Sequence, residues 1–267
     1  MDLVDIHCHL EHPRFSKDLL KVIEKAKREG VVKIITSGTT PSTNRESLRL
    51  ANKYDFIFPS FGIFPLDVLA SQADLRDSEL DSQRLEKFNL KEELKWIHKN
   101  KDKCVAIGEC GLDYKYIEEE GLKEKQKEVF REVIGLANRI KKPLLVHSRK
   151  ADKDALDILD KESKTKVVLH CFHGNKKLVE RGSNRGYFFS IPPIIKRSKH
   201  FQMLASIVPL SQILTETDSP FLSSNKGKRN EPKEVKVTIR EIAKIKEKPT
   251  REVVEQIYKN FESIFIG

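Results

Sequence analysis

Eight short apolar runs, rich in β-branched and aromatic residues, recur along the chain with longer amphipathic, charged segments between them. They are "LVDIHCH", "VVKIITSG", "FIFPSFGIFP", "CVAIGECGLD", "PLLVHSR", "KVVLHCFHG", "GYFFSIPP" and "QILTETDSP". The segment "KDLLKVIEKAKREG" carries a helical stripe through Leu19, Leu20, Ile23 and Ala26 and stops at Gly30. Another, "QKEVFREVIGLANRIKKP", is closed by Pro143 ahead of the next run. Strand and helix alternating from end to end call for a parallel sheet covered by helices. Eight units in 267 residues point to a (β/α)8 TIM barrel in one domain, residues 1–267, with its active site at the C-terminal ends of the strands. A doubly wound open sheet is the competing architecture, but it wants a glycine-rich phosphate loop after an early strand, and none is present.

A charged insertion at about residues 66–90 follows the third run. Its first half reads as a loop excursion, either a solvated elaboration or a cover over the barrel top. A helical stripe begins only at Leu90, Leu94 and Ile97, and Trp96 beside it reads as core.

Every strand run collects its polar residues at its C-terminal end, and they are metal-binding types. "VDIHCH" supplies His7 and His9, which share one face of an extended strand; "VAIGE" supplies Glu109, "PLLVH" His147, "VVLH" His170 and "ILTETD" Asp218. Any one alone reads as a capped or hydrogen-bonded core residue. Together, at one end of one barrel, they read as a metal site. Four imidazoles and two carboxylates exceed what one catalytic ion with an open position takes. They suit two divalent ions, Mg, Mn or Zn: His7, His9 and Asp218 on one, His147 and His170 on the other, Glu109 bridging. Ions about 3.5–4 Å apart would share a bridging hydroxide as nucleophile. By strand parity Glu216 and Asp5 share faces with Asp218 and His7 and are placed to orient ligand histidines. Cys8, Cys110 and Cys171 point the other way and read as small core residues.

The chain is 34% charged with a net charge of +10, which suits an anionic partner such as nucleic acid, although many of these cations simply solvate helix faces. Four cysteines without a CxxC pair suit a reducing cytoplasm. No run approaches the roughly 20 apolar residues of a membrane helix. The expectation is a cytoplasmic protein without a membrane or an obligatory protein partner.

With those residues in hand, the chain resembles the TatD family of metal-dependent deoxyribonucleases within the amidohydrolase-like barrels. The stretches that carry the resemblance are "DIHCHL", "GIFP", "AIGECGLDY", "PLLVHSR", "VVLHCFHG", "TETDSP" and "KGKRNEP", in the family's order, with "VEQIYKNFESIF" as its closing helix. The resemblance implies the same ligands, His7, His9, Glu109, His147, His170 and Asp218. It also implies exonuclease action, 3'-to-5', on single-stranded DNA. Two departures stand out: Phe64 occupies the place of a histidine expected to face the phosphate or a further ion, and the charged insertion is longer than usual.

For phosphodiester hydrolysis Asp218 is placed to accept the nucleophile's proton, and Arg149 to fork onto phosphate oxygens. Lys226, Lys228 and Arg229 offer a phosphate track at the rim. Two alternatives stay open: an esterase or amidohydrolase of the same chemistry, for example an aminoacyl-tRNA deacylase, and a nucleic-acid-binding relative with weak catalysis.

Overall fold

A computed structural model describes residues 2–69 and 86–266. Eight parallel strands form one sheet in sequential order. They are β1 (Leu3–Cys8), β2 (Val31–Ser37), β3 (Ile57–Ile63), β4 (Ala106–Asp113), β5 (Leu144–Arg149), β6 (Val167–His170), β7 (Phe188–Ile191) and β8 (Ile213–Thr215). The helices run outside them: α1 (Leu19–Arg28), α2 (Pro41–Lys53), α3 (Pro65–Leu69), α4 (Leu90–Lys99), α5 (Glu120–Ile140), α6 (Asp152–Glu162), α7 (Lys176–Asn184), α8 (Lys199–Ile207), α9 (Val235–Ile245) and α10 (Thr250–Phe265). This is the (β/α)8 barrel that the alternating pattern predicts, and α10 is the expected closing helix. Strands this short read as near-continuous apolar runs because both their faces are buried.

Side-chain and backbone hydrogen bonds join β8 to β1. The Thr215 hydroxyl donates to the Val4 carbonyl at 2.6 Å, and the Asp218 N–H donates to the His7 carbonyl at 2.9 Å. Across the same seam the His9 N–H donates to the Ser219 carbonyl at 2.8 Å. The seam therefore sets the spacing of three of the predicted ligands.

Local chemistry explains where the helices start. Thr40 and Thr43 form a reciprocal capping box at α2 with Pro41 in its first turn, and Asn89, Asn175 and Ser198 cap α4, α7 and α8. Trp96 packs edge-on against Phe61 at 4.9 Å and lies under the Arg45 guanidinium, as a core-flanking residue should.

Three sequence expectations change. The buried stripe of α1 runs through Val22, Ile23 and Ala26, while Leu20 is 56% exposed, because the 3.6-residue period turns it to solvent. The eighth strand ends at Thr215, and Glu216 and Asp218 lie in the segment after it. Residues 66–69, expected in a loop, belong to α3, whose Leu66 and Leu69 pack with Ile117 against Phe64 and Tyr116. A five-residue helix has no stability of its own, but burying each leucine contributes about 1.5–3 kcal/mol, enough to hold it. The rest of the predicted excursion, 70–85, lies outside the described residues.

Candidate metal centre

The centre is assembled at the strand ends. In β1, Asp5 and His7 share one face, with His9 one residue past the strand, so the imidazoles of His7 and His9 enter the barrel mouth together. Both are fully buried. Glu109 sits in β4, squeezed between its neighbours. A Cβ on Gly62 of β3 would lie 2.2 Å from the Glu109 nitrogen, and one on Gly111 would lie 2.0 Å from the His147 carbonyl. Glycine at these two positions lets β3, β4 and β5 close tightly enough to bring Glu109 and His147 together. Asp218 has a left-handed backbone (φ 52°), held by its N–H bond to His7. For a non-glycine residue that conformation costs on the order of 1–3 kcal/mol and is held by the seam around it.

Two ligand groups result, each with donor atoms within 4.8 Å of one another: His7, His9 and Asp218, and His7, Glu109 and His170. The first is the predicted trio. The second shares His7 and takes in His170 with Glu109. His147 stands beside it, with its ring 6.3 Å from that of His170 and its Nδ1 2.9 Å from Glu109.

The partners of the far nitrogens settle which atom each histidine presents. His9 donates Nδ1–H to the Ser37 carbonyl at 3.0 Å, leaving Nε2 3.3 Å from Asp218 and 3.5 Å from Glu109. His170 donates Nδ1–H to Glu216 at 2.6 Å and also turns Nε2 inward. His7 Nδ1 meets the Ser37 hydroxyl at 3.2 Å. His147 offers Nε2–H to Asp113 at 3.0 Å and points Nδ1 at Glu109, 2.9 Å away. A histidine held by a carboxylate or carbonyl on one nitrogen is how metal-ligating imidazoles are oriented.

His7 Nε2 tests whether a cation fits. It is buried without a hydrogen-bond partner, yet lies 3.4 Å from Glu109 and 3.7 Å from Asp218, at the junction of the two groups. A buried imidazole nitrogen left unpaired between two carboxylates is costly, and a cation between them would relieve it. The imidazole and carboxylate donors suit Zn, Mn or Mg, so the residues fit the implied divalent ions.

The charges are mutually adjusted. Burial lowers His7, with His170 reinforcing it. Burial alone would raise Glu109, but His147 and His7 hold its carboxyl well below the usual range. Asp218 likewise stays low against its burial because His9 donates to it and His170 and His7 stand near. Burial disfavours the charged form of His147, but Asp113 and Glu109 overcome this and lift it to about 10.

Of the predicted orienting residues, Glu216 is hydrogen-bonded to His170. Asp5 instead accepts the Thr217 N–H and hydroxyl at 2.8 and 2.6 Å, bracing the segment that carries Asp218. Asp113 was missed by the sequence reading although it shares the parity of Glu109 along "GECGLD"; Ser37, also missed, ends "VVKIITS" in the same way. Cys8 and Cys110 are buried with their thiols directed at the carbonyls of Ile35 and Leu145, and Cys171 is buried too, all outside both ligand groups.

At the rim, Arg149 lies 3.3 Å from Asp113 and packs its guanidinium over the Tyr116 ring, with its side chain 40% exposed. Phe64 stands edge-on to His147 at 4.9 Å, an apolar ring where a polar group was expected. Lys226 and Lys228 are exposed on the loop after β8. Arg229 is not an open phosphate contact: it forks onto Asp18 at 2.6 and 2.8 Å, donates to the Arg14 carbonyl and covers the Phe15 ring.

A family model described as TatD related DNase matches residues 4–266. A metal-dependent hydrolase of Methanocaldococcus jannaschii is 38% identical over 96% of this chain and 94% of its own. The human deoxyribonuclease TATDN3 is 36% identical over 98% of this chain and 94% of its own. The crystal structure of the Escherichia coli TatD homologue YJJV superposes with a TM-score of 0.84 at 25% identity, covering 99% of this chain and 98% of that one.

Proposed function

Because this chain belongs to the TatD related DNase family of metal-dependent hydrolases, we propose that it hydrolyses the phosphodiester bonds of DNA, removing nucleotides from the 3' end of single strands. The observation that carries the reading is the inward convergence of His7, His9, His170, Glu109 and Asp218 around the unpartnered Nε2 of His7. His147 completes the set, with its Nδ1 toward Glu109 and its other nitrogen held by Asp113. Two divalent ions in this set would supply an activated water and neutralise charge on the phosphate oxygens.

The chain's own residues do the remaining work. Asp218, low enough to be a carboxylate at neutral pH, accepts the proton released during attack. Asp113, Glu216 and Ser37 fix the ring orientations, so no reorganisation is needed as charge develops. Arg149, its guanidinium over the Tyr116 ring, presents its fork to the phosphate. Lys226 and Lys228 receive the strand's backbone at the rim. Four free, buried cysteines support a reducing, cytoplasmic setting.

The test is end-labelled single- and double-stranded DNA and RNA incubated with metal-stripped protein, then with Mg, Mn or Zn restored. A ladder shrinking from the 3' end of single-stranded DNA, absent with Glu109→Ala, is expected. Intact oligonucleotides under every metal, with turnover of acyl esters instead, would replace the nuclease with an ester hydrolase.

A further inference from the structure

A second basic feature lies beside the centre, and three separate loops build it. A cavity of about 710 Å³ is lined by Arg14 from the β1–α1 loop, Arg197 from the β7–α8 loop, and Lys226, Lys228 and the ion-paired Arg229 from the β8–α9 loop. Its volume is that of a ligand pocket, about 300–1,000 Å³. Its lining contains no carboxylate. Phe221 separates it from the metal ligands: the ring stands 6.4 Å from the His9 ring and carries the Arg14 guanidinium on its face at 5.5 Å.

The walls are locked. Arg229 donates to the Arg14 carbonyl at 2.7 Å and forks onto Asp18, tying the first loop to the last. Arg197 donates to the Ser223 carbonyl at 3.2 Å, tying the β7–α8 loop to the same last loop. Asn230 bonds back to the Thr217 carbonyl at 2.8 Å, which fixes that loop against the Asp218 segment. Five cationic side chains line one cavity: Arg229 is neutralised by Asp18, Arg197 is held by the Ser223 carbonyl and Arg14 rests on Phe221, while Lys226 and Lys228 stand exposed at its edge. Unneutralised cations gathered this closely repel one another until an anion enters, and the fixed arginines lower the entropy cost of binding one.

We propose that this cavity is a second phosphate site, holding the phosphodiester next along the strand from the one being cleaved, so that the enzyme engages at least two phosphates at once. The proposal rests on the nuclease reading above and assigns Arg14 and Arg197, which no sequence motif marked, a role in reading oligonucleotide length. Arg229 is then a positioning residue of the pocket.

The experiment compares an oligonucleotide with bis(p-nitrophenyl) phosphate, which has one phosphate and cannot span both sites, using the metal-loaded wild type and Arg14→Ala/Arg197→Ala. The ratio of kcat/KM for the oligonucleotide to that for the small diester should fall at least about tenfold. The salt dependence of the oligonucleotide KM should flatten by about one power per lost contact. A common loss on both substrates, or no loss on the oligonucleotide, overturns the pocket. Should the wild type cleave neither substrate under any divalent ion, the nuclease reading fails by itself. Fluorescence anisotropy of a labelled single strand then decides the pocket: weaker binding by the variant upholds it, and equal affinity rejects it.

Discussion

Glu216 and His170 are joined by a fully buried hydrogen bond of 2.6 Å from Nδ1–H to Oε2, and the Ser190 hydroxyl donates to the same oxygen at 2.5 Å. Burial pulls the His170 imidazole down, but the Glu216 carboxylate more than compensates and raises it. The bond thus does two things: it leaves Nε2 as the lone pair facing Glu109, and it makes that lone pair more basic.

Glu216→Gln preserves the size of the side chain and removes the charge. Metal affinity should weaken by about 10–100-fold. Calorimetric titration of metal-stripped protein measures this, and wild-type affinity in the variant would show that His170 needs no carboxylate behind it.

Metal binding should also be visible as stability, because an unfolded chain cannot gather ligands spread from His7 to Asp218. At a free concentration of 100 times Kd the native state gains about 2.7 kcal/mol. For a chain of this size, that corresponds to a rise in Tm of roughly 5–10 °C. Differential scanning calorimetry with and without chelator measures it, and Glu109→Ala should lose most of the increment. Identical Tm values for stripped and metal-loaded wild type would mean that the cluster binds no ion.

The convergence of the strand-end histidines and carboxylates was legible because a barrel leaves few positions where such a residue can close an apolar run, and period-two parity then says which of them face inward. Asp113 obeys the same parity, but the eye stops at the first carboxylate of "GECGLD", and only the bond to His147 reveals its role. Arg229 was misread for a different reason. In sequence it belongs to a basic run, whereas its partner Asp18 is more than two hundred residues away and meets it only because the first and last loops share one rim. The α3 helix was hidden because its anchor is tertiary: Leu66 and Leu69 pack on Ile117 of a different loop.

Outside the site, Asp160 on α6 gathers the surface between α6 and α7. Arg181 and Arg185 donate to its carboxylate at 2.7 and 3.1 Å, and the Tyr187 hydroxyl does so at 2.8 Å. Burial alone would raise this carboxyl, but these partners hold it below its ordinary value. A depressed carboxylate contributes stability that is present above its unfolded pKa, near 3.9, and lost as pH falls through the lower folded value. Asp160→Asn should therefore cost about 1–3 kcal/mol at pH 7 and progressively less below pH 4, where the wild type loses the charge too. Urea unfolding at both pH values measures the difference; a cost independent of pH would assign the effect to geometry instead of charge.

Asp5 offers the sharpest separation of charge from hydrogen bonding. It is fully buried, and that burial pushes its carboxyl well above the usual range, despite the bonds it accepts from Thr217 and the His7 N–H. What the fold uses is an acceptor for the Thr217 N–H, and charge is secondary. Asparagine keeps that acceptor, and the Thr217 hydroxyl can turn to accept from the amide. Asp5→Asn should stay within about 1 kcal/mol of wild type and retain activity. Asp5→Ala leaves the Thr217 N–H buried and unpaired, which costs about 1–3 kcal/mol before any cavity is counted. Because Thr217 precedes Asp218, the alanine variant should also lose kcat by more than its folded fraction explains. Equal damage from both substitutions would mean that the Asp5 charge itself supports the centre, and the bracing role assigned to Thr217 would have to be abandoned.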